Sequence, residues 1–277
     1  MEKQRAITAW IFLAIMFTAV YFGGWVLGVL LTALMCFGMK ELLVMLHSKN
    51  LYPSIVTSYV GCVLFFFLGC IGKIQYLHLA TMFLIICAFL AILRRGKSAR
   101  IKDIGATLLC VLYGGMLPAH FLFLRNMQTG TVDLFGHELN QALGFVILMV
   151  VCITVTDVGA YFIGCKFGKH KLWEAVSPKK TIEGSAAGAF FAIVFALGLG
   201  YLVGLTLWQS IAIGVLLTVF AQLGDLVESM MKRDAGTKDA SDILPGHGGF
   251  LDRVDSYIFT VAIAYYFFYY CVVNPLF

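Results

Sequence analysis

The sequence predicts an all-α, polytopic integral membrane protein with about nine transmembrane helices. Three observations predict it. First, 61% of the 277 residues are apolar and only 13% are charged, about half the usual quarter for a soluble domain, and the mean hydropathy is +0.91. A soluble globule of this size could not bury so much apolar surface. Second, Asp, Glu, Lys and Arg are missing from 6–39, 50–72, 74–93, 104–124, 139–156, 184–224 and 256–277. A transmembrane helix needs about 20 apolar residues to cross roughly 30 Å of hydrocarbon. Third, nine spans put every Lys and Arg except Lys73 and Arg125 on one side. The positive-inside rule makes that side cytoplasmic. This composition excludes disorder, a fibrous protein, a secreted disulfide scaffold and an ordinary cytosolic enzyme.

Each stretch then takes its place in order. The run 6–39 is long enough for two spans, broken near Gly23–Gly24. Lys3 and Arg5 precede it, but no small-residue cleavage site follows, so a retained helix is expected rather than a signal peptide. The stretches 50–72, 74–93, 104–124 and 139–156 fit one span each. The run 184–224 fits two, broken near Gly204–Thr206, and 256–277 supplies the ninth. The N-terminus is then cytoplasmic and the C-terminus outside. The eight cysteines lie mostly inside apolar runs and form no CxxC pair, so they read as small apolar residues. Gly24-xxx-Gly28, Gly184-xxx-Gly188 and Gly200-xxx-Gly204 suit close helix packing, within a chain or in a homodimer.

Two regions follow: 1–138, with about five spans, and 139–277, with about four and a cytoplasmic-side site. Residues 1–156 hold only Glu2, Glu41, Asp103, Asp133 and Glu138 of the 15 acids, and none has the spacing of a site. The basic loop 94–102 reads as facing lipid headgroups. The other ten acids fall between Asp157 and Asp255. A charge at a helix centre costs about 2.5–3.5 kcal/mol on insertion scales, so this clustering asks for a reason.

Three segments carry chemistry. Asp157 ends an apolar run and opens Asp157-Val158-Gly159-Ala160-Tyr161. A lone acid there also suits helix packing or a proton relay. Ser177-Pro178-Lys179-Lys180-Thr181-Ile182-Glu183-Gly184 offers ammonium and hydroxyl donors before a span, and helix N-termini favour phosphates. Basic residues at a cytoplasmic helix end are equally what the positive-inside rule produces. In the third segment, Asp225, Glu228, Ser229 and Lys232 share one helical face. Asp252 and Asp255 open the ninth span three residues apart, after a hinge of Pro245, Gly246, His247, Gly248 and Gly249. Glycines there present backbone N–H groups to a ligand.

Carboxylates without a His/Cys ligand set suit Mg²⁺, which takes one or two of them and completes its shell with water and phosphate. Lys and Arg clamp phosphates. The combination matches phosphoryl or nucleotidyl transfer. His247 fits a phosphate contact, a loop residue or a general acid–base. A phosphomonoester nucleophile is largely dianionic at pH 7 and needs no base, which favours the first two. There is no GxxxxGKS/T loop, no HExxH and no nucleophile elbow. Nothing points to nucleic acid.

The run Ser229-x-Met231-Lys232-Arg233-x4-Lys238-Asp239-x-Ser241-x2-Leu244-Pro245-x-His247-Gly248-Gly249-Phe250-x-Asp252-Arg253-Val254-Asp255 resembles the signature of the phosphatidate cytidylyltransferase family. The segments GKHK and SPKKTIEG are similar to that family too. Val158 departs from it, because many members carry Thr in a DTGAY motif. The resemblance implies the reaction CTP + phosphatidic acid → CDP-diacylglycerol + pyrophosphate, with Mg²⁺ and a second, monovalent cation such as K⁺. It implies a bacterial-type cytoplasmic (inner) membrane location and a site open to the cytoplasm. It makes Asp225 and Asp252 the metal carboxylates and Lys232, Arg233, Lys238 and Arg253 the phosphate clamps, with Asp239 and His247 beside them. Asp157, Ser177, Lys179, Lys180, Thr181, Glu183, Glu228, Ser229, Gly248, Gly249 and Asp255 become substrate contacts. The rival readings are a CTP-using polyprenol or dolichol kinase, which should lack the full run, and an ion or proton transporter, which would place its acids near mid-span.

Overall fold

A computed structural model describes residues 14–134, 137–241 and 248–275. Seven of its helices are long and apolar enough to span a membrane. In chain order, with one shorter apolar helix between the first two, we label them α1 (Gly24–Ser48), α2 (Ile55–Cys70), α3 (Ile74–Leu93), α4 (Ile101–Arg125), α5 (Gln141–Phe167), α6 (Ile182–Leu202), α7 (Leu207–Ala235) and α8 (Leu251–Val273). Residues 14–22 are also helical. Two antiparallel hairpins interrupt the helices: β1 (Thr131–Leu134) with β2 (His137–Asn140), and β3 (Lys171–Trp173) with β4 (Ser177–Thr181). The chain is a multi-pass membrane protein. It divides into two compact units: Met1–Asn126 with Asp234–Val254, and Met127–Arg233 with Asp255–Phe277.

In the first unit the helix over 14–22 stops at Gly23, where φ is 65°, and α1 starts afresh. A break leaves carbonyls without helical partners, a costly state in hydrocarbon. Arg125 at the end of α4 answers it: its Nε donates to Val20 O at 2.6 Å and a terminal nitrogen to Tyr21 O at 2.6 Å. Asn126 accepts from Gly24 N at 3.1 Å and donates to Gly69 O at 3.0 Å. Buried Asp103 accepts from Tyr52 N at 2.8 Å. Arg95 donates to Tyr52 O at 2.5 Å and Pro53 O at 3.1 Å, and pairs with Asp103 at 3.7 Å. One residue of the basic loop, Arg95, therefore turns inward and ties the loop before α2 to α4.

In the second unit Asn140 caps α5, accepting from Leu143 N at 3.3 Å, and Thr181 caps α6, accepting from Gly184 N at 3.2 Å. Small residues let α5 and α6 meet backbone to backbone. A Cβ on Gly188 would sit 2.6 Å from Thr156 O, and one on Gly184 would sit 2.6 Å from Ala160 O. Gly28, in the first unit, is likewise filled by Cys70 and Leu122, and Gly200 by Ser210. These glycines serve packing within the chain.

Gly188→Val is therefore expected to force α6 off α5, at a cost of about 1–3 kcal/mol or more. Gly198→Ala is the control, since nothing lies within 4 Å of its added Cβ and alanine favours a helix by about 1 kcal/mol over glycine. Unfolding in detergent by SDS titration should rank Gly188→Val below wild type and Gly198→Ala at or above it.

Candidate active site

In the second unit the expected acids and lysines lie on the C-terminal halves of α5 and α7, at the start of α8 and on β4. Asp157 is therefore not at a helix end, as its place after an apolar run predicts, but ten residues inside α5, which runs on to Phe167. Three contacts place them. Thr156 Oγ1 and Thr218 Oγ1 lie 3.2 Å apart and join α5 to α7, just before Asp157. Ser185 hydrogen-bonds Gln222 and joins α6 to α7. Gly224 lets α7 touch α8, because a Cβ there would lie 2.5 Å from Asp255 O. Asp225 and Asp255 are neighbours for that reason.

Asp225 is the hub. Its Oδ1 accepts from Ser229 Oγ at 3.2 Å, one turn on, and its Oδ2 pairs with Lys180 from β4. Asp157 lies within electrostatic range of Asp225 and Lys180, and Asp255 within range of Asp225, Lys232 and Asp157. Glu228 is fully buried, at 0% exposure, and pairs with Lys232 one turn later, whose side chain is 12% exposed. Glu228 is thus placed to hold Lys232 rather than to meet a ligand itself. Arg233 follows, exposed at the end of α7.

The β3–β4 hairpin positions the lysine segment. Lys171 pairs with Thr181 and Trp173 with Ser177, with an irregularity between them. Lys179 is exposed, while Ser177 and Lys180 are half-buried. Glu183, an expected substrate contact, has a side chain 29% exposed and binds across the β3–β4 hairpin. It accepts from Lys169 N at 3.1 Å, from His170 N at 3.2 Å, and binds His170 Nδ1 at 2.6 Å. It closes the hairpin onto the start of α6. His170 has no partner legible in the sequence and finds one here.

The first unit holds the rest of the motif. Lys238, Asp239 and Arg253 are exposed. Asp252 Oδ2 accepts from Gly249 N at 2.8 Å and Ala240 N at 2.9 Å. Gly248 takes φ 77°. His247, with Pro245 and Gly246, lies outside the described residues. Glu41, in the region that looks quiet in sequence, is 2% exposed and accepts from Phe250 N at 2.9 Å, Leu251 N at 2.8 Å and Ser241 Oγ at 2.5 Å. The only sequence signal for it is a lone acid, beside Lys40, closing an apolar run.

Among the described residues no three His, Cys, Asp or Glu side chains form a group able to hold a metal ion on their own. The donors present are carboxylate oxygens, as a hard cation requires. One or two of them suffice for Mg²⁺ when substrate phosphates supply the remaining ligands. With paired ammonium groups and backbone amides, the set is suited to holding phosphates and neutralising charge that develops on them.

A family model described as "Cytidylyltransferase family" matches residues 3–271. A protein of Synechocystis sp. named phosphatidate cytidylyltransferase is 36% identical over 291 residues, covering 96% of each chain. One of the same name from Staphylococcus aureus (strain COL) is 33% identical over 267 residues, covering 94% of this chain and 96% of its own. Another from Bacillus subtilis (strain 168) is 39% identical over 175 residues, covering 59% of this chain and 58% of its own.

Proposed function

The chain belongs to the cytidylyltransferase family, and we propose from that premise that it converts CTP and phosphatidic acid into CDP-diacylglycerol and pyrophosphate. The observation that carries the chemistry is Asp225, bracketed by Ser229 and Lys180, with Asp157 and Asp255 in electrostatic range. Acids and ammonium groups this close suit a triphosphate with a bound cation, and suit an apolar-site hydrolase poorly.

An oxygen of the lipid phosphate attacks the α-phosphorus of CTP in line. The new P–O bond forms as the α–β bridging P–O bond breaks, and the electron pair leaves with pyrophosphate. A dianionic nucleophile needs no general base, so the protein's work is positioning and charge neutralisation. Asp225 and Asp252 are the carboxylates we assign to Mg²⁺, by residue type and motif position. A Mg²⁺ held by these carboxylates would supply charge neutralisation to the phosphates, with K⁺ as the second cation of this reading. Lys180 and Lys232 bring ammonium groups to the phosphates, Lys232 fixed by Glu228. Lys179, Arg233, Lys238 and Arg253 are exposed donors for the same groups. Glycerolipid tails stay in the bilayer, which explains why this chemistry sits on membrane helices. The basic side of the chain, with the N-terminus, faces the cytoplasm in this reading, in a bacterial inner membrane.

The test is pyrophosphate release by purified protein in detergent. Release is expected only when CTP, a phosphatidic acid and Mg²⁺ are all present, and EDTA should abolish it. Release without lipid, or undiminished by EDTA, contradicts the reading.

A further inference from the structure

We propose that Glu41 is a positioning residue for the transfer: from inside α1 it fixes the turn that carries Asp252. The proposal rests on the reading of Asp252 as a site carboxylate. The starting observation is a carboxylate at 2% exposure, which needs compensation for its lost hydration. It finds three donors from a segment about 200 residues away: Ser241 Oγ, Phe250 N and Leu251 N. Phe250 N and Leu251 N are among the first amides of α8, the groups a helix leaves without internal partners. Glu41 therefore caps α8 from another helix, and its charge suits the positive end of the helix dipole.

Asp252 completes the arrangement. Its Oδ2 takes Ala240 N and Gly249 N. Two carboxylates thus hold the residues on both sides of 242–247: Asp252 at the Ala240 and Gly249 amides, Glu41 at the Ser241 hydroxyl and the Phe250 and Leu251 amides. The fit is close. A Cβ on Gly249 would sit 2.8 Å from Glu41 Oε1 and 2.9 Å from Ser241 N, and one on Gly38, a turn before Glu41, would sit 3.1 Å from Phe250 and Leu251 side chains. With Glu41 in place, Asp252 enters α8 at one height and rotation. Without it, the first turn of α8 loses its anchor.

Glu41→Gln is nearly isosteric but removes the charge and sets an NH₂ against one of the N–H donors. Two readouts are needed on the purified full chain: steady-state kinetics, and amide hydrogen exchange with neither substrate nor metal present. We expect kcat to fall about 10- to 100-fold with KM for CTP and lipid within about twofold. Amides at 250–252 should exchange about tenfold or more faster, with α2–α4 unchanged. Wild-type kcat, unchanged exchange at 250–252, or a rise spread evenly over the chain would each overturn the proposal. If Glu41→Gln does not fold, Ser241→Ala, which removes one of the three donors, decides: a smaller kcat loss with faster local exchange supports the proposal, and wild-type values for both overturn it. Asp252→Asn separates the two readings. If it retains full turnover, the role of Asp252 fails, while hydrogen exchange in Glu41→Gln still reports on the anchor.

Discussion

Asp225→Asn is expected to lower kcat about 10²- to 10³-fold, the usual cost of removing one preorganised electrostatic contact, while the protein still folds. The substitution keeps the shape of the side chain. It replaces one oxygen with an NH₂ that cannot accept from Ser229 or pair with Lys180, both of which Asp225 holds. It also removes the negative charge a hard cation needs. Folding should persist because Gly224, not Asp225, makes the backbone contact between α7 and α8. The check is kcat beside an SDS-unfolding curve for the same preparation. Near-normal turnover from a folded variant would remove Asp225 from the site.

The second large effect concerns Lys232 and Glu228. Glu228 is wholly buried and Lys232 nearly so. Removing one partner of a buried pair strands the other charge, at a cost of about 3–5 kcal/mol. Lys232→Met should therefore destabilise the protein by that order and abolish turnover. Glu228→Leu with Lys232→Met removes both charges, and such replacements are often neutral for stability. The double variant should recover most of the stability and none of the activity. If it recovers both, the pair serves packing and Lys232 does not act on phosphate.

Much of this was legible because the bilayer restricts what a sequence can do. Charge-free runs must be helices, so α1 and α3–α8 follow from where Asp, Glu, Lys and Arg are missing, and the break at Gly23 from its glycine pair. The face shared by Asp225, Glu228, Ser229 and Lys232 followed from helical period alone. In the structure it splits into a half-buried part, Asp225 with Ser229, and a buried pair, which periodicity cannot separate. What stayed hidden were partners set by tertiary packing. Glu41 binds backbone 209 and 210 residues away, and one acid at the end of an apolar run has no spacing to announce it. Glu183 looks like a ligand residue in SPKKTIEG but binds His170 across a hairpin that no periodicity marks. Arg95 counts as a cytoplasmic charge by the positive-inside rule and Arg125 as an exception to it, yet both satisfy backbone carbonyls at helix breaks and loops.

The most direct test of the whole account is the identity of the products. Protein in liposomes is given ³²P-labelled phosphatidic acid, CTP and Mg²⁺, and the lipid and aqueous products are separated. The account predicts ³²P-labelled CDP-diacylglycerol and unlabelled pyrophosphate in equal amounts, with no CDP. With a polyprenol added to the same liposomes as acceptor, CDP released alongside polyprenyl phosphate, with no cytidylylated lipid formed, would mean kinase chemistry and would contradict it.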